Sequence, residues 1–104
     1  KSGAKVDVPN KWGWTSLHHA ALNGHIKTVQ LLLDKGASLS ASNSNGDTAL
    51  HLAASGNRIE IVELLVKMGS KIEIKNKKSL KPVDMSKNMA VHHLLGDTDY
   101  KPSV

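Results

Sequence analysis

Apolar residues fall at helical spacing in pairs of short stretches separated by polar breaks. Leu17, Ala20 and Ala21 mark the narrow face of one short helix. Ile26, Val29, Leu32 and Leu33 mark a second, running from about Ile26 to Asp34. Thr15 stands where a hydroxyl can accept a hydrogen bond from an unpaired amide of the first turn. Asn23-Gly24 closes the first helix, since glycine takes the left-handed conformation there without strain. Ala53-Ala54 repeats the first face, and Ile59, Val62, Leu65 and Val66 repeat the second, with Asn57 standing in for the glycine. Gly36 and Gly69 terminate the second helices. Beyond them Leu39 and Ala41, or Ile72 and Ile74, alternate as in a short extended arm.

The register between the copies is 33 residues: Gly13-Trp14-Thr15-Ser16-Leu17-His18 returns as Gly46-Asp47-Thr48-Ala49-Leu50-His51. Ile26 and Ile59, Val29 and Val62, Gly36 and Gly69 follow in step. A degenerate third copy places Pro82-Val83-Asp84-Met85 over Ser16-Leu17-His18-His19 and closes on Leu94-Leu95. Such a period, with a Gly-x-Thr-x-Leu-His signature and a run of leucines, resembles the ankyrin repeat, although Ser16 and Ala49 replace the usual proline. The resemblance implies an all-α repeat solenoid of ankyrin-like helix-turn-helix units joined by short β-hairpin fingers. The expected organisation is the tail of a preceding repeat over 1–12, full repeats over 13–45 and 46–78, a shortened capping repeat over 79–96, and a disordered tail or linker over 97–104.

A repeat cannot bury its apolar face alone, so stability comes from stacking on neighbours, and roughly three units are needed. The chain of 104 residues is near that minimum. It contains no cysteine, which excludes disulfides and thiolate metal sites and suits an intracellular setting, cytoplasmic or nuclear. No apolar run approaches the roughly 20 residues needed to span a bilayer. The formal charge of +5 is uneven, because Lys67, Lys71, Lys75, Lys77, Lys78 and Lys81 crowd a stretch whose single acid is Glu73.

Six histidines invite a metal or catalytic reading. By resemblance, His18 and His51 instead hydrogen-bond the hairpin backbone and tie each unit to the next, and His25 opens the second helix. His92-His93 is read as a solvent-facing pair. No serine sits in a Gly-x-Ser-x-Gly turn, and neither a phosphate loop nor a dinucleotide fingerprint is present, so the expectation is no catalysis, cofactor or metal.

Residues held by packing should recur at the period, so positions that change mark the candidate binding face. The fingertips read Lys11-Trp12-Gly13-Trp14, Ser44-Asn45-Gly46-Asp47 and Lys77-Lys78-Ser79-Leu80, and Leu22-Asn23 becomes Ser55-Gly56. In ankyrin-like proteins these places line a concave groove that grips partners. The resemblance therefore nominates Lys11, Trp12, Trp14, Leu22, Asn23, Asn45, Asp47, Ser55, Lys77, Lys78 and Leu80. Trp12 and Trp14 lie two apart, which on an extended finger points both to one side. The competing reading packs one or both on the first helix or on an upstream repeat. The lysines favour an acidic partner or acidic lipid headgroups. With Arg58 the only arginine and aromatics not interleaved with the lysines, nucleic acid is disfavoured.

The third unit reads as a cap: a shorter inter-helix loop, and Ser86-Lys87 as a polar pair facing water in place of the small alanines. The functional expectation is a non-catalytic module, monomeric in isolation, binding a protein or peptide on its concave face. The alternative is a regulatory or targeting segment of a larger enzyme or lipid-transfer protein, docking in cis or on acidic membrane lipids. A bare structural spacer is a third reading, one that leaves the tryptophans unexplained.

Overall fold

The computed structural model describes residues 8–101, and the expected tail of a preceding repeat lies outside them from residue 1 to residue 7. The chain forms helix pairs α1 (Ser16–Asn23) with α2 (Ile26–Asp34) and α3 (Ala49–Ser55) with α4 (Ile59–Lys67). A 3-10 turn, Pro82–Met85, and α5 (Met89–Leu94) follow. First helices stack on first helices, α1 on α3 and α3 on the 3-10 turn, in an elongated body of 48 × 25 × 20 Å.

Each first helix opens on the predicted threonine. Thr15 Oγ1 accepts the His18 amide, and His18 Nδ1 accepts the Thr15 amide at 2.8 Å. Thr48 and His51 repeat the arrangement. This is a reciprocal capping box with histidine in the place usually held by Glu or Gln. Gly24 and Asn57 both take the left-handed conformation at the helix ends, φ 81° and 55°.

The core runs along the seam between helices: Leu17, Ala20, Ala21 and Val29, then Leu50, Ala53, Ala54, Ile61, Val62 and Leu65, closing on Val91 and Leu95. The alanines are buried because any larger side chain would hold the stacked first helices apart. One expected core residue is misplaced. Ile59 is 38% exposed, and Ile61 is the buried isoleucine of α4. Ile61 belongs to the core shared with the first unit, whose α2 packs against α4, so it is covered by the neighbouring repeat. Its counterpart Thr28 is exposed, and no described unit precedes it.

Three features of the terminal unit differ from expectation. The link between its helical elements is three residues, Ser86 to Asn88, the same number as Gly56 to Arg58 one repeat earlier; the shortening lies in the helices themselves. Ser86 faces inward, its hydroxyl donating to Asn57 Oδ1 at 2.8 Å across the repeat boundary, while Lys87 is exposed. His92 is buried at 5% exposure, with Nδ1 2.8 Å from Asp97 Oδ2, and only His93 faces solvent. Tyr100 stacks on the His92 ring with centroids 3.4 Å apart, so residues 97–100 fold back on α5. Residues 102–104 lie outside the described part.

Candidate partner-binding face

The fingers are built by an asparagine that recurs at the period. Asn10 Oδ1 accepts the amides of Trp12 and Trp14, Asn43 Oδ1 those of Asn45 and Asp47, and Asn76 Oδ1 those of Lys78 and Leu80, all at 2.9–3.0 Å. Each finger is then closed by two backbone bonds: the asparagine N–H of Asn10, Asn43 and Asn76 donates to the carbonyl of Trp14, Asp47 and Leu80, and its carbonyl accepts from Gly13, Gly46 and Ser79. No strand forms among the described residues, so the expected β-hairpins are tight loops of the same outline. Side-chain oxygen has taken over the hydrogen bonds that a ladder would have supplied.

Neighbouring fingers are joined by single backbone bonds, Ser44 N–H to Trp12 O and Lys77 N–H to Asn45 O, both 2.9 Å. The motif histidines add to this. His18 Nε2 lies 3.0 Å from the Ala41 carbonyl and 3.1 Å from that of Asp47, and His51 Nε2 lies 2.9 Å from that of Leu80. With Nδ1 accepting from Thr15, the His18 proton sits on Nε2 and is donated to the next finger. Burial pushes the His18 pKa below its usual value, against the opposing pull of the two carbonyls. These histidines are structural ties, as the resemblance implied.

Against this frame the nominated residues separate. Trp12 is 57% exposed at the first fingertip, with the Lys11 ammonium 4.6 Å from its ring centroid. Trp14 is half-buried and packs on α1, its ring centroid 4.9 Å from that of His19. The finger bends at Gly13 (φ 80°), so the extended-chain argument that paired the tryptophans does not hold. Asn23 and Ser55 are exposed at the ends of α1 and α3, and Leu22 is half-buried, its carbonyl accepting Arg58 Nε at 3.0 Å.

Asp47 is not a free contact. It is 6% exposed, and its Oδ1 accepts Asn76 Nδ2 at 2.8 Å, a bond between the second and third fingers. The first finger has Trp14 at the equivalent place, and there Asn43 Nδ2 is buried without a partner. Around the Asp47–Asn76 bond lies a notch of about 190 Å³ lined by Asn45, Asp47, Asn76, Lys77, Lys78, Leu80 and Met85. Five of the nominated residues therefore meet in one place. Lys81 is held by Glu73 at 3.5 Å, whereas Lys77 and Lys78 are exposed and make no ion pair among the described residues.

The recurrent asparagine was within reach of sequence reasoning, because Asn10, Asn43 and Asn76 are spaced by the repeat. The described residues hold no cluster of three or more metal-ligating side chains, and none of their helices is long and apolar enough to cross a membrane.

Comparison with known proteins agrees with this architecture. Residues 2–76 match a family described as ankyrin repeats (3 copies). Inversin of Danio rerio is 47% identical over 36 residues, which is 35% of this chain and 4% of that protein. The E3 ubiquitin-protein ligase XBAT32 of Arabidopsis thaliana is 80% identical over 25 residues, 24% of this chain and 5% of that protein. The chain thus spans only a small part of the length of these curated relatives. With helix pairs tied by buried threonine and histidine to a row of fingers, and with that match covering most of its length, the chain belongs to the ankyrin-repeat family, whose fold is a protein–protein interaction module.

Proposed function

We propose that this module recognises a protein or peptide through its fingertips and the ends of its first helices, with Trp12 as the principal anchor. The observation that carries the reading is the contrast between two neighbouring tryptophans. Trp14 is used internally against His19, while Trp12 stands 57% exposed beside Lys11. Exposed tryptophan is a frequent hot-spot residue, and truncating one in an interface costs about 2 kcal/mol or more of binding. Lys11, Leu22, Asn23, Asn45, Ser55, Lys77, Lys78 and Leu80 complete the surface. Asp47 and Trp14 act on it indirectly, by fixing the fingers.

The test is affinity capture from cell extract with the parent chain and a Trp12→Ala variant, both shown by circular dichroism to be equally helical. A partner retained by the parent and lost by the variant supports the reading. Equal capture by both removes Trp12 from the interface.

A second reading rests on the unpaired Lys77 and Lys78. In it the module serves as a targeting segment of a longer protein and docks on acidic lipids, an attraction that fades as salt is added. The small share of its relatives that the chain covers fits a segment of a larger whole. A sequence without cysteine suits the reducing interior of a cell, cytoplasmic or nuclear.

A further inference from the structure

We infer that the partner is an acidic, extended peptide segment that sets an apolar side chain against Trp12 and a carboxylate four to six residues away between Lys77 and Lys78. This rests on the fingertip reading above and specifies its ligand. The three tips differ in chemistry: aromatic with Lys11 at the first, small and neutral with Ser44 and Asn45 at the second, cationic at the third. A ligand running along them meets an apolar contact, a polar spacer and a pair of positive charges in order.

Lys77 and Lys78 make no ion pair among the described residues. Glu73 is paired with Lys81 at 3.5 Å, and the buried Asp47 carboxylate at the floor of the notch, held by the neutral Asn76 amide at 2.8 Å, offsets at most one of the two charges. Lys77 and Lys78 border the notch of about 190 Å³, whose wall includes half-buried Leu80 and Met85. That space admits a side chain with an apolar stem and a charged end. A nucleic-acid backbone is disfavoured because Arg58 is the only arginine and no aromatic side chain is interleaved with these lysines.

The spacing follows from the finger bonds. Trp12 O to Ser44 N and Asn45 O to Lys77 N keep neighbouring tips in step with the stacked first helices, about 8–10 Å per repeat and about 16–20 Å from first tip to third. An extended peptide covers that in about five or six residues, and its alternate side chains share a face, hence the pair at i and i+4 or i+6.

The experiment selects a displayed random peptide library on the folded chain, on Trp12→Ala and on the double variant Lys77→Glu/Lys78→Glu. These three side chains are exposed, so folding should survive, and circular dichroism verifies it. The parent should enrich Asp or Glu four to six residues from a large apolar residue. The best peptide should bind the double variant about tenfold more weakly or worse. Trp12→Ala should lose the apolar preference and keep the acidic one. Peptides enriched by the parent without acidic residues overturn this inference and leave the fingertip reading standing. No enrichment by the parent overturns both. If, in addition, phosphatidylserine vesicles bind the parent and release the double variant, the lysines belong to a membrane contact.

Discussion

Gly46→Ala should be among the most damaging single-methyl changes in the chain, for a reason specific to stacked fingers. Gly46 has φ 78°, and left-handed backbone costs an ordinary residue about 1–2 kcal/mol. A Cβ there would also stand 2.9 Å from the Lys77 nitrogen and 3.2 Å from the Asn76 Cα. Both are backbone atoms of the next finger and cannot rotate away, so overpacking adds roughly 1–3 kcal/mol. The sum, about 2–5 kcal/mol, is a large part of the stability of a small domain and corresponds to a melting temperature lower by about 10 °C or more. Gly36→Ala is the control, because φ is 91° there and nothing lies within 4 Å of the added carbon. Ser79 already occupies the equivalent left-handed position, φ 63°, at the last described finger. Ser79→Gly should therefore shift stability by no more than about 1 kcal/mol, relief of strain opposing the greater freedom of the unfolded chain. Urea unfolding followed by far-ultraviolet circular dichroism ranks the three. A Gly46→Ala loss no larger than that of Gly36→Ala would refute the steric argument.

Three further outcomes are expected. His18 has a folded pKa below the unfolded value of 6.5, so between the two the unfolded chain holds the extra proton. Stability should therefore fall as pH drops through about 6.5 toward the folded pKa, and urea midpoints from about pH 7 to about pH 5 should show a shallower slope in His18→Gln. Asp47→Ala leaves Asn76 Nδ2 with only the Met85 sulfur, 3.6 Å away, and should cost about 1–3 kcal/mol in the same unfolding assay. Tyr100→Ala removes the ring stacked on His92, worth about 0.5–1.5 kcal/mol, and should speed hydrogen exchange at the Asp97 amide, which now bonds His92 O at 2.7 Å.

What could be read from the chain followed the 33-residue period, because packing that recurs leaves a recurring trace. Thr15 and Thr48 at helix starts, the paired alanines, Val29, Val62 and Leu65 are of this kind. The misplacements occur where a residue answers to something that does not recur. Ile61 is buried because a repeat lies before it, whereas its counterpart Thr28 has no described neighbour on that side. Ser86 and His92 look like surface residues by type, yet both are buried, each against a partner, Asn57 and Asp97, that only the folded end of the array brings near. Asp47 changed between copies and so resembled a free surface position. It changes because it pairs with Asn76, a bond that Asn43 lacks where Trp14 stands. Variation at a periodic site thus marks either a contact surface or a private internal bond, and burial separates the two.

The central claim, that partners are gripped at the fingertips, is tested most directly by mapping backbone amide chemical shifts while a library-selected peptide is titrated into the chain. The account predicts the largest changes at Trp12, Asn23, Asn45, Lys77 and Lys78, with α2 and α4 nearly unmoved. Shifts centred on the outer face of α2 and α4, around exposed Leu31 and Ile59, would contradict it.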